Sequence, residues 1–209
     1  MKKTGLTATL FLAAILLGGC LSTIHPIFTD KDLVLETRLL GNWEKGKDNS
    51  RVTYRHPTAA ELKTFSPGLQ AQAAKIYVLE EINAKGGIQT FNYAFIVKLG
   101  KYNYVDIYPG ETTAEQSAND FFAAHYTPMH SIYRIQSKDR NSFSMQQLDG
   151  GYLEKLIRNK QIRIKHEVME DGGFVITAPT GELQQYLIKY GDVPEAYSKD
   201  NNDVYLRTN

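Results

Sequence analysis

Cysteine is almost missing from this chain: 209 residues carry one, at position 20. A disulfide framework needs at least two, so the fold must rest on its hydrophobic core alone. Long apolar runs are missing too. The longest uncharged apolar stretch, residues 6–17 (LTATLFLAAILL), spans 12 residues, whereas a helix crossing a bilayer needs roughly 20. Net charge is close to zero at +1, which leaves no electrostatic footprint for nucleic acid, a partner that selects clustered basic surface. Tryptophan occurs once and proline seven times.

The beginning of the chain is organised for export. Lys2 and Lys3 precede the apolar run, and Gly18-Gly19 precede Cys20, the layout of a basic start, a short apolar centre and small residues at a cut. Leu17-Gly18-Gly19-Cys20 resembles the lipobox of bacterial lipoproteins. The resemblance implies cleavage after residue 19 and acylation of Cys20 with diacylglycerol on sulfur and a further chain, such as palmitate, on the new amino group. One acyl chain binds a membrane only reversibly, but several on one residue hold almost permanently. Residue 21 is Leu and not Asp, which resembles lipoproteins sent on to the outer membrane of two-membrane cells, facing the periplasm. With residues 1–19 removed as signal peptide, 190 remain, enough for one domain that buries roughly 70% of its unfolded surface. Charge then falls to −1, as Lys2 and Lys3 leave, and an acylated Cys20 leaves no thiol for catalysis or zinc.

The rest reads as aromatic-rich β structure, with 13 Tyr and nine Phe. Residues 20–38 are expected to be a lipidated tether and 39–209 a β-barrel domain. Residues 90–99 alternate most clearly: Phe91, Tyr93, Phe95, Val97 and Leu99 share one face. Gly100-Lys101 then turns into a strand at 102–108. Further strands are expected at 51–54, 76–82, 129–135, 142–148, 164–168, 174–177 and 204–207. Thr58 and Glu61 have capping-box spacing, predicting a helical excursion over 59–73 broken at Pro67-Gly68. Helices are also predicted over 113–124, after Asp149 on the stripe Leu153/Leu156/Ile157, and from Thr180 to Gly191 on the stripe Leu183/Tyr186/Leu187/Tyr190. About nine strands with short links make an antiparallel meander.

Gly41-Asn42-Trp43 at the mouth of the first strand resembles the G-x-W of lipocalin-like barrels, in which the tryptophan plugs one end. Taken with Val105-Asp106-Ile107-Tyr108-Pro109, Pro128-Met129-His130, Leu148-Asp149, His166-Glu167 and Ile176-Thr177-Ala178-Pro179-Thr180, the pattern over 39–207 resembles a family of bacterial lipoproteins and secreted proteins to which no activity attaches. The resemblance implies a mainly β, lipocalin-like antiparallel barrel of eight to nine strands with two or three added helices, more than a simple lipocalin carries. It further implies closure of the first strand on the last, with the Arg207 guanidinium within about 6 Å of the Trp43 ring as a cation–π pair.

Chemical motifs are sparse. Gly41 to Lys47 fits G-x-x-x-x-G-K, but Asp48 follows where a phosphate loop needs Ser or Thr. H-E-x-x-H and G-x-S-x-G do not occur. Glu80 and Glu81 stand on opposite faces of a strand. Asp106, His130 and His166 are the candidates for a joint polar site, set against the plainer reading that each is separately hydrogen-bonded. Phe91, Tyr93 and Phe95 could line a cavity or simply pack, since small barrels often fill themselves. Three functions therefore stay open: a non-enzymatic binding or envelope-maintenance module, a solid barrel docking a partner through its helices, or a hydrolase-like enzyme using His130, His166 and Asp106. Expected partners are the membrane, through Cys20, and either a small apolar ligand or an envelope protein, with no nucleic acid and no cofactor.

Overall fold

The computed structural model describes residues 21–48, 50–82, 87–110, 127–170 and 172–208. The signal segment, Cys20 and the helix expected over 113–124 lie outside these residues. Eight strands close into one antiparallel ring: β2 (Gly41–Lys45), β3 (Arg51–Arg55), β4 (Ile76–Ile82), β5 (Ile88–Leu99), β6 (Tyr102–Pro109), β7 (His130–Ser137), β8 (Ser142–Leu148) and β11 (Tyr197–Arg207). One closing pairing joins the last ring strand to the first, and another joins two consecutive strands. β11 pairs with β2, placing Arg207 opposite Trp43, and β6 pairs with β7. Closing the ring satisfies the edges that an open sheet would leave bare. This is the lipocalin-like barrel that Gly41-Asn42-Trp43 suggests.

Three more strands branch off the ring. β1 (Ser22–Thr23) runs along the first residues of β7, β10 (Phe174–Ile176) lies parallel to β1, and β9 (His166–Val168) forms the outer edge. A two-residue strand carries no readable alternation, which is why β1 and its parallel pairing escape sequence reasoning, whereas β9 and β10 fall within the strands expected at 164–168 and 174–177. The last strand is also longer than its visible pattern: it starts at Tyr197, and a register shift between Tyr197 and Asn202 interrupts the period of two. Four helices lie among the described residues: α1 (Ala59–Leu62), α2 (Pro67–Gln70), α3 (Gly150–Arg158) and α4 (Thr180–Tyr190). Thr58 and Glu61 form a true capping box on α1. Pro67 does not merely break the excursion but opens α2 at its first position, where its missing N–H costs nothing. None of these helices is long and apolar enough to cross a membrane.

Strand alternation feeds two separate cores. One gathers Trp43, Val52, Tyr54, Tyr77, Leu79, Ala94, Ile96, Val105, Ile135, Phe143, Met145 and Tyr205. Every ring strand contributes to it, so it is the barrel interior. The other lies outside the wall of β4 to β7, between Ile76, Val78, Tyr93, Phe95, Val97 and Ile132 and a cover made of residues 21–33, α3 and α4. Residues 21–36 are therefore no free tether. Leu21, Ile27, Phe28 and Leu33 are buried, and their apolar side chains hold the segment against the barrel.

The face of Phe91, Tyr93 and Phe95 belongs to this outer core and lines no interior cavity. Phe28 stacks on Phe95 at 4.4 Å, and Phe65 meets Tyr93 edge-on at 4.6 Å. From the same strand the ring takes the smaller Ala94 and Ile96 inward. The small inward side chains of this strand leave the interior of the narrow ring to the larger Trp43, Tyr54, Phe143 and Tyr205 from other strands.

Candidate functional site

The floor of the barrel is built around Gly41-Asn42-Trp43. The Trp43 indole N–H donates to the Leu39 carbonyl at 2.7 Å. The Arg207 guanidinium carbon stands 4.2 Å from the Trp43 ring centroid, within the range of a cation–π contact contributing roughly 0.5–2 kcal/mol. Arg207 also donates to the carbonyls of Leu40 and Arg38, at 3.0 and 2.6 Å. The glycine has a physical reason: Gly41 adopts φ +119°, and a Cβ there would lie 2.7 Å from an Arg207 nitrogen. Arg207 thus clamps the turn preceding the first ring strand and closes that end.

Above the floor the interior is filled with rings. Phe143 packs edge-on to Trp43 at 4.6 Å, stacks on Tyr205 at 4.6 Å and meets Tyr54 at 6.1 Å. The Tyr54 hydroxyl reaches the Met145 sulfur on the far side of the ring at 3.5 Å. Towards the other end the lining turns polar, with a Lys45–Asp203 ion pair at 2.9 Å. Burial foremost, and then the charges of Tyr133 and Glu81, push the Tyr54 phenol far above its ordinary value, and burial does the same for Tyr205.

Asp106 and His130 do meet. His130 Nδ1 lies 2.6 Å from Asp106 Oδ1, while Asp106 Oδ2 accepts the Ile27 backbone N–H at 2.9 Å. Asp106 is fully buried, and the Tyr108 ring packs 4.6 Å from His130. The pair sits on the outer wall, where one carboxylate joins β6, β7 and the N-terminal segment. Sequence spacing carries no sign of Ile27, since its contribution is a backbone donor and any residue supplies one.

His166 does not join them. His130 pairs with Thr23, Thr23 with Ile176, and Ile176 with His166. Three strand spacings put the two histidines roughly 14 Å apart along that row. The His166 ring instead bonds the Ile164 carbonyl at 2.8 Å and packs against Phe174. Among the described residues, no three His, Cys, Asp or Glu side chains gather as metal ligands would.

A second polar junction was not visible in the sequence. Arg134 donates to the Gly191 carbonyl at 2.7 Å and to Gln146 at 2.7 Å, with its guanidinium carbon 3.7 Å from the Tyr197 ring centroid. Tyr104 and Tyr197 donate to the carbonyls of Leu187 and Gly191. The last carbonyls of α4, unpaired within any helix, are thereby met by two phenols and a cation, the charge favoured at that end. Gly191 is needed for space: a Cβ there would lie 2.9 Å from the Leu187 oxygen and 3.0 Å from the Tyr104 hydroxyl.

Comparison with known protein families, curated proteins and solved structures finds no match for this chain.

Proposed function

We propose that this chain is a bacterial lipoprotein, anchored through lipid on Cys20, whose barrel is a solid, non-enzymatic scaffold in the cell envelope that contacts another envelope protein. In a cell with two membranes it would face the periplasm from the outer one. The observation carrying the solid-barrel reading is the interior: eight strands send Trp43, Tyr54, Phe143, Met145, Tyr205 and their neighbours into one contiguous core. A carrier of apolar ligands needs that volume for its cargo.

The hydrolase-like reading gains no support from the polar residues. Both Asp106 oxygens are occupied by protein donors, its side chain is out of solvent, and His166 stands apart. The docking reading draws on α4. Leu183, Tyr186 and Leu187 face the barrel, leaving Glu182, Gln185, Lys189 and an apolar Ile188, 57% exposed, on the outward side.

Native mass spectrometry of the mature lipoprotein from its own host tests the solid barrel. The expected mass is that of residues 20–209 plus acyl groups. A stoichiometric apolar compound of several hundred daltons, released only on denaturation, would overturn it. Changing Cys20 to Ser should abolish acyl labelling, and retained label refutes the anchor. A photo-crosslinker at Ile188 should yield one discrete protein adduct in cells, and no adduct counts against docking through α4.

A further inference from the structure

If Cys20 carries the lipid, the register of the branch sheet decides how the barrel meets the membrane. Leu21 is only 5% exposed, and β1 begins at the next residue, already paired with β7 and β10. Residue 20 can stand only one Cα step, about 3.8 Å, from that fixed point. An acylated Cys20 therefore has no length of free chain by which the barrel could hang away from the bilayer.

The neighbour of that exit point is an apolar hairpin tip. Thr23 lies level with Ile176 in the parallel β1–β10 pairing. Two residues back along this register, Leu21 comes level with Phe174, and Phe174 is paired with Val168. Two strand spacings, roughly 10 Å, thus separate the exit point from Val168. Val168 is 61% and Met169 51% exposed, adjacent large apolar side chains that the protein itself leaves uncovered.

Backbone and side-chain contacts hold the described residues of the tip. The Met169 N–H donates to Gly173 and the Gly172 N–H to Met169. Arg158, from the end of α3, donates to the Gly172 carbonyl at 3.1 Å and lies 4.9 Å from the Phe174 ring centroid. Glu167 and Glu170 flank the apolar pair, so attraction to anionic headgroups is not what draws it down.

We propose that Val168 and Met169 form a membrane-contact tip which, with the lipid on Cys20, seats the barrel on the bilayer in one fixed orientation. The inference rests on the anchoring proposed above and commits to a lipid surface as what covers the tip.

The experiment uses the full lipidated protein in vesicles of brominated phosphatidylcholine, whose bromines quench tryptophan within the bilayer. Met169→Trp is compared with Arg51→Trp on β3, across the ring from β7. The native Trp43 is buried in the barrel floor and gives a background to subtract from the parent protein. The indole introduced by Met169→Trp should shift to the blue on vesicles and be quenched at least twofold more than the one introduced by Arg51→Trp. Equal quenching, or none, on protein whose intact mass shows the acyl groups overturns the seated orientation while leaving the anchor standing. A blue shift that grows with protein concentration without vesicles would mean that a second copy covers the tip, which also overturns it. Absence of acyl mass removes the anchor and this inference together.

Discussion

The two cores differ in what encloses them. The interior is walled by the ring itself, and its residues come from eight strands joined by ladder hydrogen bonds. The outer core has that wall on one side only. Its other side is a cover of residues 21–33, α3 and α4, fastened by the β1–β7 pairing and by polar contacts that include Asp106 with Ile27 and His130, and Arg134, Tyr104 and Tyr197 with the end of α4. An element held by a few such junctions can open locally, whereas a closed ring opens only as a whole. The difference separates a folding core from a fastened cover, although both are built from apolar positions in the sequence.

The largest effect should come from the interior. Phe143→Ala removes a ring in contact with Trp43, Tyr54 and Tyr205 and should cost about 3–5 kcal/mol in urea unfolding. Amide exchange should quicken in all ring strands together. Leu187→Ala in the outer core should cost about 2–5 kcal/mol, but with faster exchange confined to α4 and residues 21–33. Were both variants to loosen the same amides, the two cores would be one cooperative unit and the comparison would fail.

A smaller effect is expected at the latch. Asp106→Ala strips the Ile27 N–H and His130 Nδ1 of their acceptor, and buried groups left unpaired cost about 1–3 kcal/mol. Exchange at the Ile27 amide should rise while that at Ile96, inside the ring, stays slow. Unchanged exchange at Ile27 would show that apolar packing alone fastens the segment.

The smallest effect is one of pH. Arg55, hydrogen-bonded to Glu61 at 2.9 and 2.7 Å, holds that carboxyl at about 2, below its ordinary 4.5. A carboxyl depressed on folding stabilises the protein above its unfolded value, and this contribution is lost as pH falls through the folded one. The stability gap between the parent and Glu61→Gln should thus be constant above about pH 5 and shrink towards pH 2. Its size should stay below about 1 kcal/mol because the pair is partly exposed. A gap independent of pH would show that the ion pair adds nothing to fastening α1.

How much was legible follows from the range of each signal. Thr58 and Glu61 predict the start of α1 because a capping box closes within one helical turn. The row Phe91, Tyr93, Phe95 reads as a strand because alternation is local. Whether that row faces in or out is not local. Both faces of β5 are apolar, and the pattern leaves the choice between Ala94/Ile96 and Tyr93/Phe95 open. The polar candidates behaved the same way: Asp106 and His130 meet through the adjacency of β6 and β7, whereas His166 is carried three strands away by a branch sheet whose pairing order has no sequence signature.

By itself, the sequence determined what short-range chemistry can specify: the strand and helix periods, the caps, and a G-x-W whose glycine and tryptophan match a barrel floor. It also determined that no disulfide could contribute, since one cysteine cannot form one within the chain. Only the tertiary structure decided which face of β5 looks into the barrel, that the Arg207 contact expected from the G-x-W resemblance forms at Trp43, and that residues 21–36 are a strap on the wall. Those outcomes depend on ring closure. Closure is a property of all eight strands at once, and no single segment encodes it.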